Sequence, residues 1–351
     1  MKIYPMIRLI SFVAVCIVLT QTMDAQINTI QGQLRQFEVV AAMRPDTVVS
    51  SEKWMIRDFE FQGDHILVLT WDRNPDKCVL RKINTQHGEI DSLRLTEKPN
   101  AFFRDVFHQV YLITEKNVYL VSDQNLSLYK VKEDFFFGRI YPIAERVDST
   151  LFYSTYTPRK PDFIYLDAQL DTLHEIRNKH LYDLYYSEYT FLPFHVKTEI
   201  KRRCARSGES KYDVAAELTG FTNSLWWENL YSPMLSQNDS VFIADHFRDS
   251  LFVYNASGAL LETYAMEFHK QKGYAKEILC DEATGEWFAR YLIHGRTHLS
   301  AIGRKAETLG NTTKLHYRYV DKVKVYKGKA WYLYRPFESR QNSYLYAESL
   351  H

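Results

Sequence analysis

Cysteine, glycine, proline and net charge are all scarce in this sequence. Its 351 residues include four Cys, 13 Gly and 10 Pro, and 44 basic side chains against 43 acidic ones leave a formal charge of +1. So few cysteines exclude a disulfide framework. Neutrality argues against a nucleic-acid partner, because a nucleic-acid backbone requires a basic protein face.

Long hydrophobic runs are also missing, except at the N-terminus, which reads "MKIYPMIRLISFVAVCIVLTQTMDAQ". Lys2 and Arg8 precede an apolar run of eleven residues, and the small residue Ala25 follows it. This is the pattern of a cleaved secretory signal, and the run is shorter than the roughly 20 residues that cross a bilayer. We therefore expect residues 1–25 to be removed. The remainder, 26–351, is expected to be exported as a single domain without a transmembrane segment.

Short β-rich runs separated by Asp, Asn, Ser and Gly turns recur along the chain, and this pattern predicts strands. In each of six hairpins an apolar strand stops at a polar turn and an amphipathic strand returns. The hairpins cover 65–83, 117–131, 150–166, 240–255, 286–302 and 329–350. An earlier apolar run precedes each hairpin and supplies a first strand. The anchors of these first strands are Ile56, Ala101, Arg139, Leu230, Tyr274 and Tyr319.

The spacing of these units predicts an all-β fold, a six-bladed β-propeller. Three to four antiparallel strands at intervals of about 40 residues match propeller blades. One interval is about twice the others, and 197–221 within it has helical periodicity and few β-branched residues. We interpret about 177–228 as a helical insertion between blades 3 and 4, and a degenerate seventh blade is the alternative. A strand near "RQFEVV", 35–40, could complete the last blade and close the ring.

Three segments carry a resemblance: "FFRDVFHQVYLITEKNVYLV", "FIADHFRDSLFVYN" and "VKVYKGKAWYLYRPFESRQNSYLY". They resemble uncharacterised secreted bacterial six-bladed propeller-like proteins of the TolB-like or NHL-like kind, over most of the mature chain. The resemblance implies this fold and export. It implies no catalytic residues, because the group is uncharacterised.

No strong catalytic or cofactor motif is present, including zinc-protease, serine-hydrolase, phosphate-loop and EF-hand patterns. His294 and His298 are four residues apart, but they lie across a predicted hairpin turn and lack a third ligand nearby in the sequence. We therefore expect no metal and no cofactor. Removal of the signal leaves Cys78, Cys204 and Cys280, so at least one thiol lies outside any intrachain disulfide.

Arginine recurs in the predicted turns between the second and third strands of the blades. In a propeller these turns open onto the face that also carries the links between blades. Five of the six turns contain arginine, and one adds a histidine. The candidates are Arg73, Arg159, His246, Arg248, Arg296, Arg335 and Arg340. A ring of guanidinium groups would recognise carboxylate or phosphate by paired hydrogen bonds. Alternatively, each arginine pairs with a neighbouring Asp or Glu at a hairpin tip.

Aspartate followed by Ser or Thr recurs six times before predicted strands. These triplets resemble the O-glycosylation sites of some exported bacterial proteins. The modification candidates are Thr47, Ser92, Ser149, Thr172, Ser240 and Ser250. Turn chemistry also explains them, because Asp and Ser side chains satisfy backbone groups where a strand begins.

Together these patterns favour a non-enzymatic binding protein of the bacterial envelope, periplasmic or at the cell surface. We expect a monomer that binds a protein, peptide or glycan on its loop face. One alternative is a propeller glycoside hydrolase or polysaccharide lyase, which would gather carboxylates or His with shifted pKa values near the central funnel. The other is a structural module of an envelope assembly, which would expose a large apolar patch.

Overall fold

The described part of the chain folds mainly into six four-stranded antiparallel sheets. The computed structural model describes residues 45–50, 54–72, 74–84, 88–336 and 344–350. Numbered in chain order, sheet 1 contains β2 (Trp54–Gln62), β3 (His65–Asp72), β4 (Asn74–Asn84) and β5 (Gly88–Arg94). Sheet 2 contains β6 (Pro99–Arg104), β7 (Val110–Thr114), β8 (Val118–Val121) and β9 (Leu128–Val131). Sheet 3 contains β10 (Ile143–Val147), β11 (Thr150–Ser154), β12 (Asp162–Leu166) and β13 (Thr172–Arg177).

The remaining three sheets follow the same meander. Sheet 4 contains β14 (Met234–Gln237), β15 (Ser240–Asp245), β16 (Ser250–Asn255) and β17 (Leu260–Ala265). Sheet 5 contains β18 (Tyr274–Asp281), β19 (Glu286–Ile293), β20 (Arg296–Ile302) and β21 (Thr308–Arg318). Sheet 6 contains β22 (Asp321–Tyr326), β23 (Lys329–Tyr334) and β24 (Tyr344–Ser349), and β1 (Asp46–Ser50) is its outermost strand.

Turn residues with positive φ join many of these strands. His294 and Gly295 have φ values of 50° and 75°, and Lys327 and Gly328 have 53° and 70°. Two successive residues of this kind make the two-residue turns whose twist matches antiparallel strands. His294 therefore lies in the tight hairpin turn itself, and His298 lies on β20 beyond it.

Helices fall between sheets 3 and 4: α1 (Lys179–Phe191), α2 (Phe194–Ser207) and α3 (Lys211–Thr219), followed by a 3-10 turn, Phe221–Asn223. They have their own small core, which contains Ile200, Val214 and Ala215. Short helical segments also occur at Glu133–Phe135, Phe136–Ile140 and Phe268–Lys270. Within the described residues, no helix has the length and apolar character needed to cross a membrane.

Neighbouring sheets pack face to face through apolar clusters. Leu69 and Leu80 of sheet 1 share one cluster with Leu112 of sheet 2. Comparable clusters join sheets 3 and 4, 4 and 5, 5 and 6, and 6 and 1. Between sheets 2 and 3, the Arg146 guanidinium lies 5.0 Å from the centre of the Phe107 ring.

The last sheet meets the first, so the sheets form a closed ring. The Lys324 ammonium lies 2.5 Å from a carboxylate oxygen of Glu60, and Lys322 pairs with Asp58. The Tyr326 and Phe61 rings stack with centres 4.4 Å apart. A closed ring of four-stranded antiparallel sheets is a β-propeller. This confirms the prediction of an all-β propeller, and 35–40, expected to close it, lies outside the described residues.

The predicted hairpin of sheet 2 is wrong in register, because 117–131 contains the third and fourth strands and not the second and third. The second and third strands, β7 and β8, join through a short turn at 115–117. There Thr114 Oγ1 accepts the Asn117 N–H at 2.9 Å, and Glu97 accepts from both side chains. Side chains close this turn without glycine, so the usual turn signal is missing.

Candidate ligand site on the loop face

A cavity of about 780 Å³ opens beside sheet 3, where the loops around it meet. Three backbone segments form its walls: the link at 141–142, the β11–β12 loop at 155–158 and the link at 230–233. The two links and the loop between second and third strands share one face of a propeller, which we call the loop face. A volume of this size suits a small-molecule or short-polymer ligand.

Aromatic rings dominate the lining of this cavity. They belong to Phe103, Phe137, Tyr141, Tyr156, Phe163, Tyr165 and Tyr231. Hydroxyl groups stand among them, on Ser154, Thr155, Thr157 and Ser232. Aromatic faces with a few hydroxyls suit stacking against sugar rings or apolar side chains, with hydrogen bonds to fix the orientation.

The π-helix Phe136–Ile140 positions two of these rings. Phe136 is fully buried, and its ring centre lies 5.0 Å from that of Phe137 and 6.1 Å from that of Tyr141. Phe137 and Tyr141 themselves are 48% and 42% exposed. A buried aromatic base therefore holds two exposed aromatic side chains at the mouth of the cavity.

Sheet 3 and the following link hold the opposite wall. The Tyr156 ring packs edge-on against Phe163 at 5.3 Å, and the Tyr165 hydroxyl donates to the Ser232 carbonyl at 2.7 Å. Burial, followed by the proximity of Tyr141, raises the pKa of Tyr156. Burial also raises the pKa of Tyr165 and Tyr231. These hydroxyls therefore remain protonated and can donate hydrogen bonds at neutral pH.

Among the described residues, no His, Cys, Asp, Glu, Lys or Arg lines this cavity. The described residues also contain no group of three His, Cys, Asp or Glu side chains arranged as metal ligands. The side chains that line the cavity offer stacking faces and uncharged hydrogen-bonding groups.

His246, a predicted site residue, lies beside this cavity in a buried hydrogen-bond network. Its Nδ1 is 3.0 Å from the Ala244 carbonyl, which can only accept, so Nε2 accepts the Tyr274 hydroxyl at 2.9 Å. Its ring stacks on Tyr274 with an interplanar angle of 13° and lies 5.2 Å from Tyr231. Burial, followed by the charge of His269, lowers the pKa of His246 to about 4. His246 is therefore neutral at physiological pH and supports the loop face from beneath.

The turn around His246 is organised by a buried carboxylate. Asp245 is fully buried and accepts the N–H groups of Phe247 and Arg248 at 2.9 and 3.2 Å. His174 Nε2 lies 3.1 Å from its second oxygen, which is also 3.6 Å from Arg248 Nε. The charged appearance of this turn in the sequence is therefore explained by a structural network.

The predicted arginines do not meet in the cavity. Arg248 is half-exposed above Asp245, Arg159 is exposed at a φ of 68°, and Arg335 is exposed after β23. Arg296 is half-buried and lines a separate groove on sheet 5. Arg73 and Arg340 lie outside the described residues. Ligand binding by this set stays a prediction.

Sequence reasoning missed the aromatic residues of the cavity, although a signal for them exists. Tyr141 precedes Pro142 directly, Tyr156 lies two residues before Pro158, and Tyr231 lies two residues before Pro233. Proline fixes its own φ and so restrains the backbone around it. Three Tyr-Pro or Tyr-x-Pro segments on one face could have indicated a rigid aromatic site.

The modification candidates lie near strand ends or on outer strands. Thr47, Ser92, Ser149 and Thr172 are exposed, whereas Ser240 and Ser250 are half-buried. Asp91 accepts the Ser92 N–H at 2.7 Å, and the Ser250 hydroxyl donates to the Arg248 carbonyl at 2.9 Å. The first contact lies within β5 and the second belongs to the turn before β16, and modification of these residues stays a prediction.

A second polar cluster lies among the first strands of the sheets and the loops that follow them. Arg104 pairs with Glu282 at 2.6 Å, and His108 lies 3.2 Å from the same carboxylate. Burial raises the pKa of the nearby Glu145, to which Glu282 adds a smaller effect of the same sign. Burial also raises the pKa of two other described carboxyls, Asp162 and Glu348.

No protein-family model matches the chain, and no curated protein matches it. Solved structures with a similar fold include a gluconolactonase from Xanthomonas campestris, with 9% identity, a TM-score of 0.40 and coverage of 88% of this chain and 89% of that one. A virginiamycin B lyase from Staphylococcus aureus has 8% identity, a TM-score of 0.36 and coverage of 88% of each chain.

BamB from Moraxella catarrhalis is also similar, with 7% identity, a TM-score of 0.33 and coverage of 83% of each chain. At such scores and identities these similarities carry no information about the ligand or activity of this chain. They also do not distinguish a TolB-like from an NHL-like propeller.

Proposed function

We propose that this chain is an exported six-bladed β-propeller that binds an envelope glycan or peptide in the aromatic cavity of its loop face, without catalysis. Each four-stranded sheet would be one blade, and α1 to α3 an insertion between blades 3 and 4. The signal-like N-terminus supports export to the periplasm or cell surface. Among the arginines at the hairpin tips, Arg159, Arg248 and Arg335 would contact anionic parts of a longer ligand from the rim.

The observation that carries this proposal is the lining of the cavity. Several aromatic rings and hydroxyls surround about 780 Å³ of space, and the described lining contains no His, Cys, Asp, Glu, Lys or Arg. General acid–base catalysis requires a His, carboxyl or similar group within hydrogen-bond reach of the substrate. Binding requires only stacking surface and oriented hydrogen bonds, which this lining provides.

The test is a binding measurement with one exposed ring removed. Soluble oligosaccharide and peptide fractions released from the native envelope are passed over the immobilised mature protein, and retained compounds are identified by mass spectrometry. Tyr141→Ser should weaken binding of the retained compound by about 2 kcal/mol, roughly 30-fold, as loss of an aromatic anchor does.

Tyr129→Ser is the matched control for this measurement. Tyr129 is 57% exposed on β9, outside the cavity lining, so its removal should leave the affinity unchanged. Equal affinity of the Tyr141→Ser variant and the native protein would contradict the proposal.

A hydrolase or lyase is the second candidate, and Glu145 favours it. A half-buried carboxyl with a raised pKa is suited to act as a general acid. In the same retention experiment an enzyme would release shortened products, whereas a binding protein returns the compound with its mass unchanged.

An envelope-assembly module is the third candidate, favoured by the turn between α1 and α2. Phe191 and Phe194 there are 83% and 85% exposed. Exposed rings of this kind mark contact surfaces for other proteins. Stoichiometric retention of an envelope protein, with no small compound, would support this role over ligand binding.

A further inference from the structure

A second concave site lies on sheet 5, separate from the aromatic cavity. It encloses about 260 Å³ at the end of the sheet where the β19–β20 turn lies. The lining contains Ile293, His294, Arg296, His298, Lys314 and Arg318. Within the described part of the chain no carboxylate lines this groove, which we call the basic groove.

The strand register places two arginine side chains directly opposite one another in this groove. In the β20–β21 ladder Arg296 faces Arg318, and His298 faces Lys314. Like charges opposite one another in an antiparallel pair destabilise the sheet. This pairing lowers the stability of the isolated chain. An anion bound between the cations would offset their repulsion and so explains why the pairing is present.

The described residues do not supply that anion. None of their ion pairs involves Arg296, Lys314 or Arg318, whereas Arg290 on the same sheet pairs with Glu277 at 2.6 Å. Glu348 lies within electrostatic range of Arg296. One of its oxygens, however, already accepts the His316 N–H and the Tyr332 hydroxyl, both at 3.0 Å.

The behaviour of His298 also indicates a positive local potential. Burial is the largest cause that lowers the pKa of His298, and the charges of Lys314 and Arg296 lower it further. An anion bound in the groove would oppose the effect of Lys314 and Arg296 on the pKa of His298.

We propose that the basic groove is a binding site for a monosaccharide-sized ligand that carries one phosphate, sulfate or carboxylate group. The Arg296 and Arg318 guanidinium groups offer paired donors to such an oxyanion, and Lys314 adds a point charge. The groove lies outside the aromatic cavity, so the proposal of this site does not depend on the proposed function.

The experiment is calorimetric titration of the full mature protein with four probes that share one ring. Glucose 6-phosphate, glucose 6-sulfate and glucuronate carry the three kinds of anion, and glucose is the neutral control. At least one charged probe should bind, and the one that binds most tightly identifies the anion. Its binding should weaken at high salt, since salt screens charges at the surface.

Substitutions assign that binding to the groove. Arg296→Gln and Lys314→Met should each weaken the charged probe about tenfold, through loss of a charge-assisted contact. Lys130→Met removes an exposed lysine from β9 and should change nothing. Two results would overturn the site: no charged probe binds better than glucose, or both groove variants bind as the native protein does. Because the variants keep the tyrosines of the aromatic cavity, failure here leaves the retention experiment with Tyr141→Ser unaffected.

Discussion

Asp281→Ala should destabilise the fold by about 3–5 kcal/mol, because it removes a buried carboxylate that joins sheets 5 and 6. Asp281 is fully buried at the end of β18. Its oxygens accept the N–H groups of Ala283 at 3.0 Å, Lys327 at 3.0 Å and Gly328 at 2.6 Å. Lys327 and Gly328 form the turn of sheet 6, so the substitution leaves two backbone donors across the sheet interface, and one within sheet 5, without this acceptor.

Urea unfolding at neutral pH measures this effect as a loss of unfolding free energy. Asp239→Ala, in the exposed turn between β14 and β15, is the matched control and should change stability by no more than about 0.5 kcal/mol. If the alanine variant does not accumulate as folded protein, Asp281→Asn keeps one acceptor oxygen and should show a smaller loss. An Asp281→Ala variant within about 1 kcal/mol of the native protein would show that the carboxylate does not hold these sheets together.

The second large effect is a loss of stability in acid caused by His246. Burial lowers its pKa from 6.5 to about 4 in the folded protein, so the unfolded chain takes up a proton first as the pH falls. The free energy of unfolding therefore keeps the full contribution of neutral His246 above pH 6.5. It loses this contribution progressively as the pH falls towards 4. The shift corresponds to about 3 kcal/mol.

His246→Gln should remove this part of the acid sensitivity. The measurement is the unfolding free energy of both proteins at several pH values between 7 and 4. The other titrating groups are common to the two proteins and cancel in the difference, except for His269, whose charge interacts with His246. The native protein should lose about 3 kcal/mol more than the variant over this range. Parallel curves would mean that His246 titrates alike in the folded and unfolded chains.

Much of the fold could be predicted from the sequence because turn chemistry is local. The hairpin around 240–255 has an apolar strand on each side of a polar turn, and the structure places β15 and β16 there. The strands of sheet 2 were assigned wrongly because their turn at 115–117 is organised by Glu97. This residue is distant in sequence from the turn and acts through Thr114 and Asn117. A turn held by a partner from outside the hairpin leaves no mark within the hairpin.

The candidate site was harder to predict because its parts are far apart in the chain. Tyr141, Tyr156 and Tyr231 come from a link, a loop and a second link, and only closure of the sheets brings them together. The π-helix that supports Tyr141 was also missed, since "DFFFGRI" has the apolar character of a strand. Each arginine could be assigned to a predicted turn from the sequence. Whether several of them face one ligand depends on the directions of their side chains, which the spacing of residues in the sequence does not determine.

Hydroxyl-radical footprinting tests the central claim, that the loop-face cavity holds the ligand, most directly. The mature protein is oxidised with and without the compounds that it retains from the envelope, and modification of each tyrosine is read by mass spectrometry. We predict protection of Tyr141 and Tyr156, with Tyr129 unchanged as the internal reference. Protection confined to Phe191 and Phe194, or no change at Tyr141 and Tyr156 under saturating ligand, would contradict the account.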